Sequence, residues 1–174
     1  VTDYVFRGLE FESLERLHVE VGAQIRVTSV IDSERGRYSY ELVCEPDWTF
    51  RVIRIEAAAG ERALTIESDG KGEWTVDDEW RSDLDGCIDI DLPVTPFTNT
   101  LPIRRLGLAI EEEADLAVTY IQFPDLEVTV DAQRYTRLGP DSYRYDSLDS
   151  DFTADITVDD DGVVLEYPEL FERL

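Results

Sequence analysis

The stretch Ala23-Gln24-Ile25-Arg26-Val27-Thr28-Ser29-Val30-Ile31 decides the fold. Ala23, Ile25, Val27, Ser29 and Ile31 fall on one face of an extended chain, and Gln24, Arg26 and Thr28 on the other. A period of two marks a strand with one face in a core, because successive side chains of a strand point to opposite sides. The turn signal Glu34-Arg35-Gly36 follows, and then Tyr38, Tyr40, Leu42 and Cys44 alternate with Arg37, Ser39 and Glu41. Two such runs about a glycine-bearing turn read as an antiparallel hairpin.

The same period continues in both directions. In 49–57, Ile53 and Ile55 oppose Arg54 and Glu56, and Leu64 and Ile66 carry the pattern through 62–68. Stretches 114–123, 126–138, 142–147, 150–158 and 162–167 are rich in Val, Ile, Tyr and Thr, residues that suit a pleated, half-buried surface. Turn chemistry separates them at Ala59-Gly60-Glu61, Asp69-Gly70-Lys71-Gly72, Gly139-Pro140-Asp141 and Asp160-Asp161-Gly162. Short strands at such even spacing predict an all-β fold: an antiparallel meander curled into a barrel-like sheet, since closure removes exposed edges. Helix is expected only as a short turn near 98–106 and as a terminal helix over 168–173, with Pro168 at its first position. No linker or repeat divides residues 1–174, which read as a single β-barrel-like domain.

Composition narrows the function classes. Sixteen basic residues against 40 acidic ones give a net charge of −24. That charge repels nucleic-acid backbones and anionic membrane surfaces. Lys71 is the only lysine, and the pattern reads as an acidic, halophilic surface suited to a salt-rich cytoplasm. No apolar run approaches the ~20 residues that span a bilayer, and no basic-then-apolar leader opens the sequence, so a cytoplasmic location is expected. Cys44 and Cys87 are expected to be buried free thiols. With one histidine, His18, and no CxxC pair, no metal site or other cofactor is expected. The nucleophile elbow, HExxH, Walker and GxGxxG patterns are all missing. Asp89 and Asp91 stand two apart on one strand face, an arrangement that suits a carboxylate dyad or a weak cation site.

Two segments depart from this background. Gly86–Gly107 carries Pro93, Pro96 and Pro102, the only asparagine, Asn99, and the pair Arg104-Arg105. Prolines lower the entropy cost of a fixed loop, so the segment is expected to be either a rigid crossover or the rim of a ligand pocket. The run Gln133-Arg134-Tyr135-Thr136-Arg137-Leu138 concentrates positive charge, with Tyr143, Arg144 and Tyr145 across the next turn. An arginine on an apolar strand face either pairs with a carboxylate or meets a polar ligand.

These segments carry a resemblance. Leu84-Asp85-Gly86-Cys87-Ile88-Asp89-Ile90-Asp91-Leu92 and Thr95-Pro96-Phe97-Thr98-Asn99-Thr100-Leu101-Pro102-Ile103-Arg104-Arg105-Leu106 resemble the putative glycolipid-binding family. So do Phe6-Arg7-Gly8-Leu9, Cys44-Glu45-Pro46-Asp47-Trp48, 133–138, 143–148 and the ending 164–171. The resemblance implies a many-stranded antiparallel sheet curled into a barrel, similar in outline to periplasmic lipoprotein carriers, and assigns no catalytic residue. The function expected is binding of an amphipathic small molecule, such as a glycolipid or lipid-like ligand, in or at the mouth of a β-barrel. Arg104, Arg105, Arg134, Tyr135, Arg137, Asn99, Phe97 and Tyr120 are the candidate ligand-binding residues. The chain is expected to be a monomer or homodimer. The alternatives are an enzyme acting on a lipid or sugar conjugate through Asp89, Asp91 or another acid, and a structural or interaction domain with a filled core.

Overall fold

The computed structural model describes residues 1–57 and 62–174, so the expected turn Ala59-Gly60-Glu61 lies outside the described residues. Eight strands come first: β1 (Thr2–Gly8), β2 (Ser13–Val21), β3 (Ile25–Ser33), β4 (Gly36–Cys44), β5 (Phe50–Ala57), β6 (Arg62–Ser68), β7 (Trp74–Val76) and β8 (Glu79–Trp80). After β9 (Asp89–Asp91) and the helix α1 (Thr100–Leu106) come β10 (Glu113–Ile121), β11 (Val128–Arg137), β12 (Ser142–Ser147), β13 (Thr153–Val158), β14 (Val164–Tyr167) and β15 (Phe171–Arg173). All fifteen strands form one sheet, ordered β8 to β1, then β15 down to β9. The chain therefore begins and ends at the middle of the sheet, where β1 pairs with β15.

Chain length forces the curl. The two edge strands, β8 and β9, are consecutive, and only residues 81–88 connect them. Nine residue steps reach at most about 30 Å. In a flat sheet, fourteen spacings of about 4.8 Å would hold the edges about 67 Å apart. The sheet must bend round to bring them together. It does not close: β8 and β9 are the two ends of the strand order, and β9 pairs with β10 in parallel while the other neighbours are antiparallel. A 3₁₀ turn at Ser82–Leu84 bridges the gap, and Arg81 Nη2 donates to the Val128 carbonyl at 3.0 Å.

One end of the curl is packed solid. Residues facing inward from β3 to β7, among them Ile25, Leu42, Phe50, Ile53, Ile66 and Trp74, are almost fully buried, and Phe50 stacks on Trp74 at 5.1 Å. The proline-rich segment after β9 enters this interior as a plug. Leu92, Thr95, Phe97, Thr98, Asn99, Thr100 and Leu101 are all buried, and Phe97 meets Trp48 at 6.4 Å. A 3₁₀ turn at Phe97–Asn99 runs directly into α1, matching the expected helical turn. Pro102 is tolerated because it lies in the first turn, where its missing N–H has no partner to lose. Gly107, at φ 56°, ends the helix in the left-handed conformation that glycine adopts at little cost.

The expected helix over 168–173 is a correction. Pro168 to Leu170 form a tight turn, with Glu169 at φ 66° and Leu170 N–H donating to the Tyr167 carbonyl at 3.0 Å. Phe171–Arg173 then pair with both β14 and β1. Proline can open a helix, but here β1 offers an unpaired edge, and pairing with it satisfies backbone groups that a short helix would leave free.

Candidate functional site

At the other end of the curl the inward side chains become small. Gly8, Ser13, Ser33 and Gly36 face each other across β1 to β4. A Cβ at Gly8 would lie 2.2 Å from Ser13 Oγ, so the strands can meet here only with glycine. Above this row lies a cavity of about 290 Å³, at the small end of the range for ligand pockets. Its deep, buried wall comes from Ile31, Tyr38, Tyr145 and Tyr167 and from Leu92, Thr95 and Asn99 of the plug. Phe11, Leu170 and Phe171 are more open, and Glu10, Arg35 and Phe152 are exposed at the rim. Asp91 and Tyr120 also face the cavity, from adjacent positions on β9 and β10.

The polar groups of the wall fall into two kinds. Some are held by the protein. The Tyr135 hydroxyl donates to Asn99 Oδ1 at 2.7 Å, and Asn99 Nδ2 donates to the Pro96 carbonyl at 2.9 Å. Asp91 accepts from Thr98 Oγ1 at 2.9 Å and from Gln133 Nε2 at 2.8 Å. Others are free. Among the described residues, no hydrogen bond takes up the hydroxyls of Tyr120, Tyr145 or Tyr167. Nor are these among the fully occluded side-chain atoms that lack partners, which are Glu15 Oε2, Thr100 Oγ1 and Thr119 Oγ1. The three phenols therefore open onto the cavity.

Burial raises the Asp91 pKa from its ordinary value against the two hydrogen bonds, and nearby Asp131 adds to the rise. Burial also pushes Tyr120 up to about 12, with the charges of Asp91 and Asp131 acting in the same direction. One inward position below Ser13 lies Glu15, 2 % exposed, with Oε1 accepting from Ser29 Oγ at 2.6 Å and Tyr40 Oη at 3.0 Å. Burial lifts its pKa to about 7.

The eight candidates from the sequence are placed as follows. Asn99 and Tyr120 line the cavity, and Tyr135 supports Asn99. Phe97 is a core residue against Trp48. None of the four arginines is part of the cavity wall. Arg105 grips Asp89 with two bonds, at 3.0 and 2.5 Å. Arg134 lies on the outer face and grips Asp115, its direct cross-strand partner, at 2.6 and 3.0 Å. Arg137 donates to the carbonyls of Leu108, Gly139 and Pro140. Arg104 is exposed, its guanidinium 5.6 Å from the Trp48 ring centre. The arginine at the cavity is Arg35, with its guanidinium 3.2 Å from the centre of the Phe11 ring.

In the sequence Asp91 stands out only as half of a candidate dyad and Tyr145 only beside Arg144, and Tyr167 gives no signal of its own beyond the family-like ending 164–171. His18, on the outer face, hydrogen-bonds Asp3 at 2.6 Å. Among the described residues, no group of three or more His, Cys, Asp and Glu side chains is placed to hold a metal ion, and no helix is long and apolar enough to cross a membrane.

An open sheet wrapped round a plug, with an aromatic cavity at one end, defines a β scaffold able to enclose a small molecule. Residues 3–173 match the family described as "Putative glycolipid-binding", and the chain belongs to that family. It is similar to a DUF1089 family protein from Pseudomonas aeruginosa, whose crystal structure gives a TM-score of 0.80 at 38% identity over 92% of each chain. Among curated proteins, none matches.

Proposed function

We propose that the protein binds an amphipathic small molecule in the cavity at the open end of the curl, polar end inward. The observation that carries this reading is the set of unpartnered hydroxyls on Tyr120, Tyr145 and Tyr167 in a wall otherwise made largely of aromatic and aliphatic side chains. These hydroxyls reach the cavity space, where a bound molecule would supply the partners that the protein does not. Thr95 and Asn99 lie on the deep wall and Asp91 faces the cavity beside the plug, while Phe11, Phe152, Leu170 and Phe171 sit nearer the solvent. That gradient suits an amphiphile whose head group enters first. Each 100 Å² of apolar ligand surface covered would contribute about 2.5 kcal/mol. The family description supports a ligand of the glycolipid type. Buried side chains such as Trp74 and Phe50 occupy the packed end of the curl, so on this reading the tail lies toward the rim.

Titration of the neutral dye Nile red, read by fluorescence, tests this. Saturable uptake is expected, weakened about tenfold or more by Val94→Trp, which would fill the cavity from its wall. Uptake indifferent to that substitution would contradict the reading.

A second reading is favoured by one observation. Asp91 is a carboxylate with a raised pKa facing a largely apolar cavity, the condition a general acid or base requires. Asp91→Asn would then abolish turnover of a lipid or sugar conjugate while leaving binding in place.

A further inference from the structure

The head group the cavity accepts can be argued from charge, on the reading above that it takes an amphiphile. Asp89 and Asp91 share one face of β9, but only Asp89 is matched by a cation, Arg105. Among the described residues, no Arg, Lys or His nitrogen lies within 4.0 Å of Asp91. Its donors are neutral: the Thr98 hydroxyl and the Gln133 amide. That amide also donates to Asp131 at 2.9 Å, so one uncharged group serves two carboxylates. Aromatic rings stand around this unbalanced charge. Tyr145 lies 6.2 Å from Tyr167 and 5.9 Å from Phe152, and the two tyrosines are only 8% and 6% exposed. The faces of such rings are electron-rich and attract cations. The charged residues on the wall are Glu10, Arg35 and Asp91. Arg35 stands at the exposed rim over Phe11, away from the deep wall.

We propose that the cavity selects amphiphiles whose head group carries an organic ammonium, an alkylammonium or an amino-sugar head among them, with Asp91 as the counter-charge and Tyr120, Tyr145 and Tyr167 enclosing it. A phosphate or carboxylate head would enter beside Asp91 with no cation to balance either group, which burial penalises. A neutral sugar would satisfy the phenols and leave the carboxylate unbalanced.

The test is competition for Nile red bound to the whole chain, using four amphiphiles with one tail: octylamine, octyltrimethylammonium, octyl glucoside and octyl phosphate. It is run in about 1 M salt, where the Debye length is about 3 Å and cations gain little from the acidic surface at large. The expected result is that at least one ammonium amphiphile competes at about a tenfold lower concentration than the glucoside and the phosphate. Asp91→Asn should remove that preference, while Asp115→Asn, which deletes one carboxylate on the outer face, should keep it. The ranking in the unmodified chain decides the matter even if Asp91→Asn fails to fold. Octyl glucoside or octyl phosphate competing as well as the ammonium compounds would overturn the head-group assignment and leave amphiphile binding standing. Failure of all four to compete would overturn both.

Discussion

Asp89 and Asp91 lie two residues apart on the same face of β9, and Arg105 holds Asp89 alone, through Nε at 3.0 Å and Nη2 at 2.5 Å. The helix that carries Arg105 belongs to the plug, so this ion pair ties the plug to the edge of the sheet. Asp91 is left to face the cavity. One carboxylate thus fastens the scaffold and its neighbour equips the site.

That division can be measured. Asp89 is 1% exposed, so Arg105→Ala strands a buried charge, and a loss of about 3 kcal/mol is expected in urea unfolding. Its neighbour Arg104 is exposed over Trp48, and Arg104→Ala should cost no more than about 1 kcal/mol. Equal losses for the two would show that the plug is not fastened through Asp89.

Glu15 gives a pH dependence with a definite sign. Its pKa in the folded chain is about 7, raised from 4.5, so folding favours the protonated form. Its full contribution is present below about pH 4.5 and is lost as pH rises through about 7, a change on the order of 3 kcal/mol. Glu15→Gln cannot ionise and should flatten the urea midpoint against pH across that window. Parallel profiles for the two proteins would show that Glu15 does not titrate in the fold.

Gly8 supplies a steric check on the cavity wall. A Cβ there would lie 2.2 Å from Ser13 Oγ and 2.8 Å from the Phe11 carbonyl oxygen. Gly8→Ala should therefore destabilise by about 1–3 kcal/mol through overpacking and weaken dye uptake by shifting the wall. An unchanged thermal midpoint with full uptake would contradict the close approach of β1 and β2.

The arginines divide by role. Arg137 clamps three carbonyls, and Arg137→Ala should cost about 2 kcal/mol or more. Arg134 sits in an exposed pair with Asp115 that solvent screens, so Arg134→Ala should leave the unfolding midpoint almost unmoved. Neither substitution should shift the affinity for an amphiphile by more than about twofold. A tenfold loss on Arg134→Ala would return that residue to the site.

Much of this architecture could be read from the chain. The alternation in β3 to β6 reports directly which side chains face inward, because successive residues of a strand point to opposite sides, whereas β10, β11 and β14 do not keep the period throughout. The terminal hairpin could not be read this way. Pro168 is compatible with a helix start, and only the unpaired edge of β1, set by the order of all the other strands, decides against one. The positions of the arginines were hidden for a related reason. Arg134 shares a face with Val128 and Val130 by spacing, and Val128 is buried, but at Val130 and Arg134 that face meets solvent, and the match of Arg134 with Asp115 exists only once the register of β10 and β11 is known. The tyrosines of the cavity fall in stretches that read as strands, yet their lack of partners depends on where the plug comes to rest.

The decisive measurement is an NMR titration of the labelled chain with octyltrimethylammonium and octyl glucoside, following backbone and tyrosine side-chain shifts. Saturable changes confined to Gly8, Ser33, Asp91, Asn99, Tyr145, Tyr167 and Phe171 are predicted, with the outer-face pair Asp115 and Arg134 undisturbed. Shifts scattered over the outer face, or none at the cavity with either compound, would contradict it.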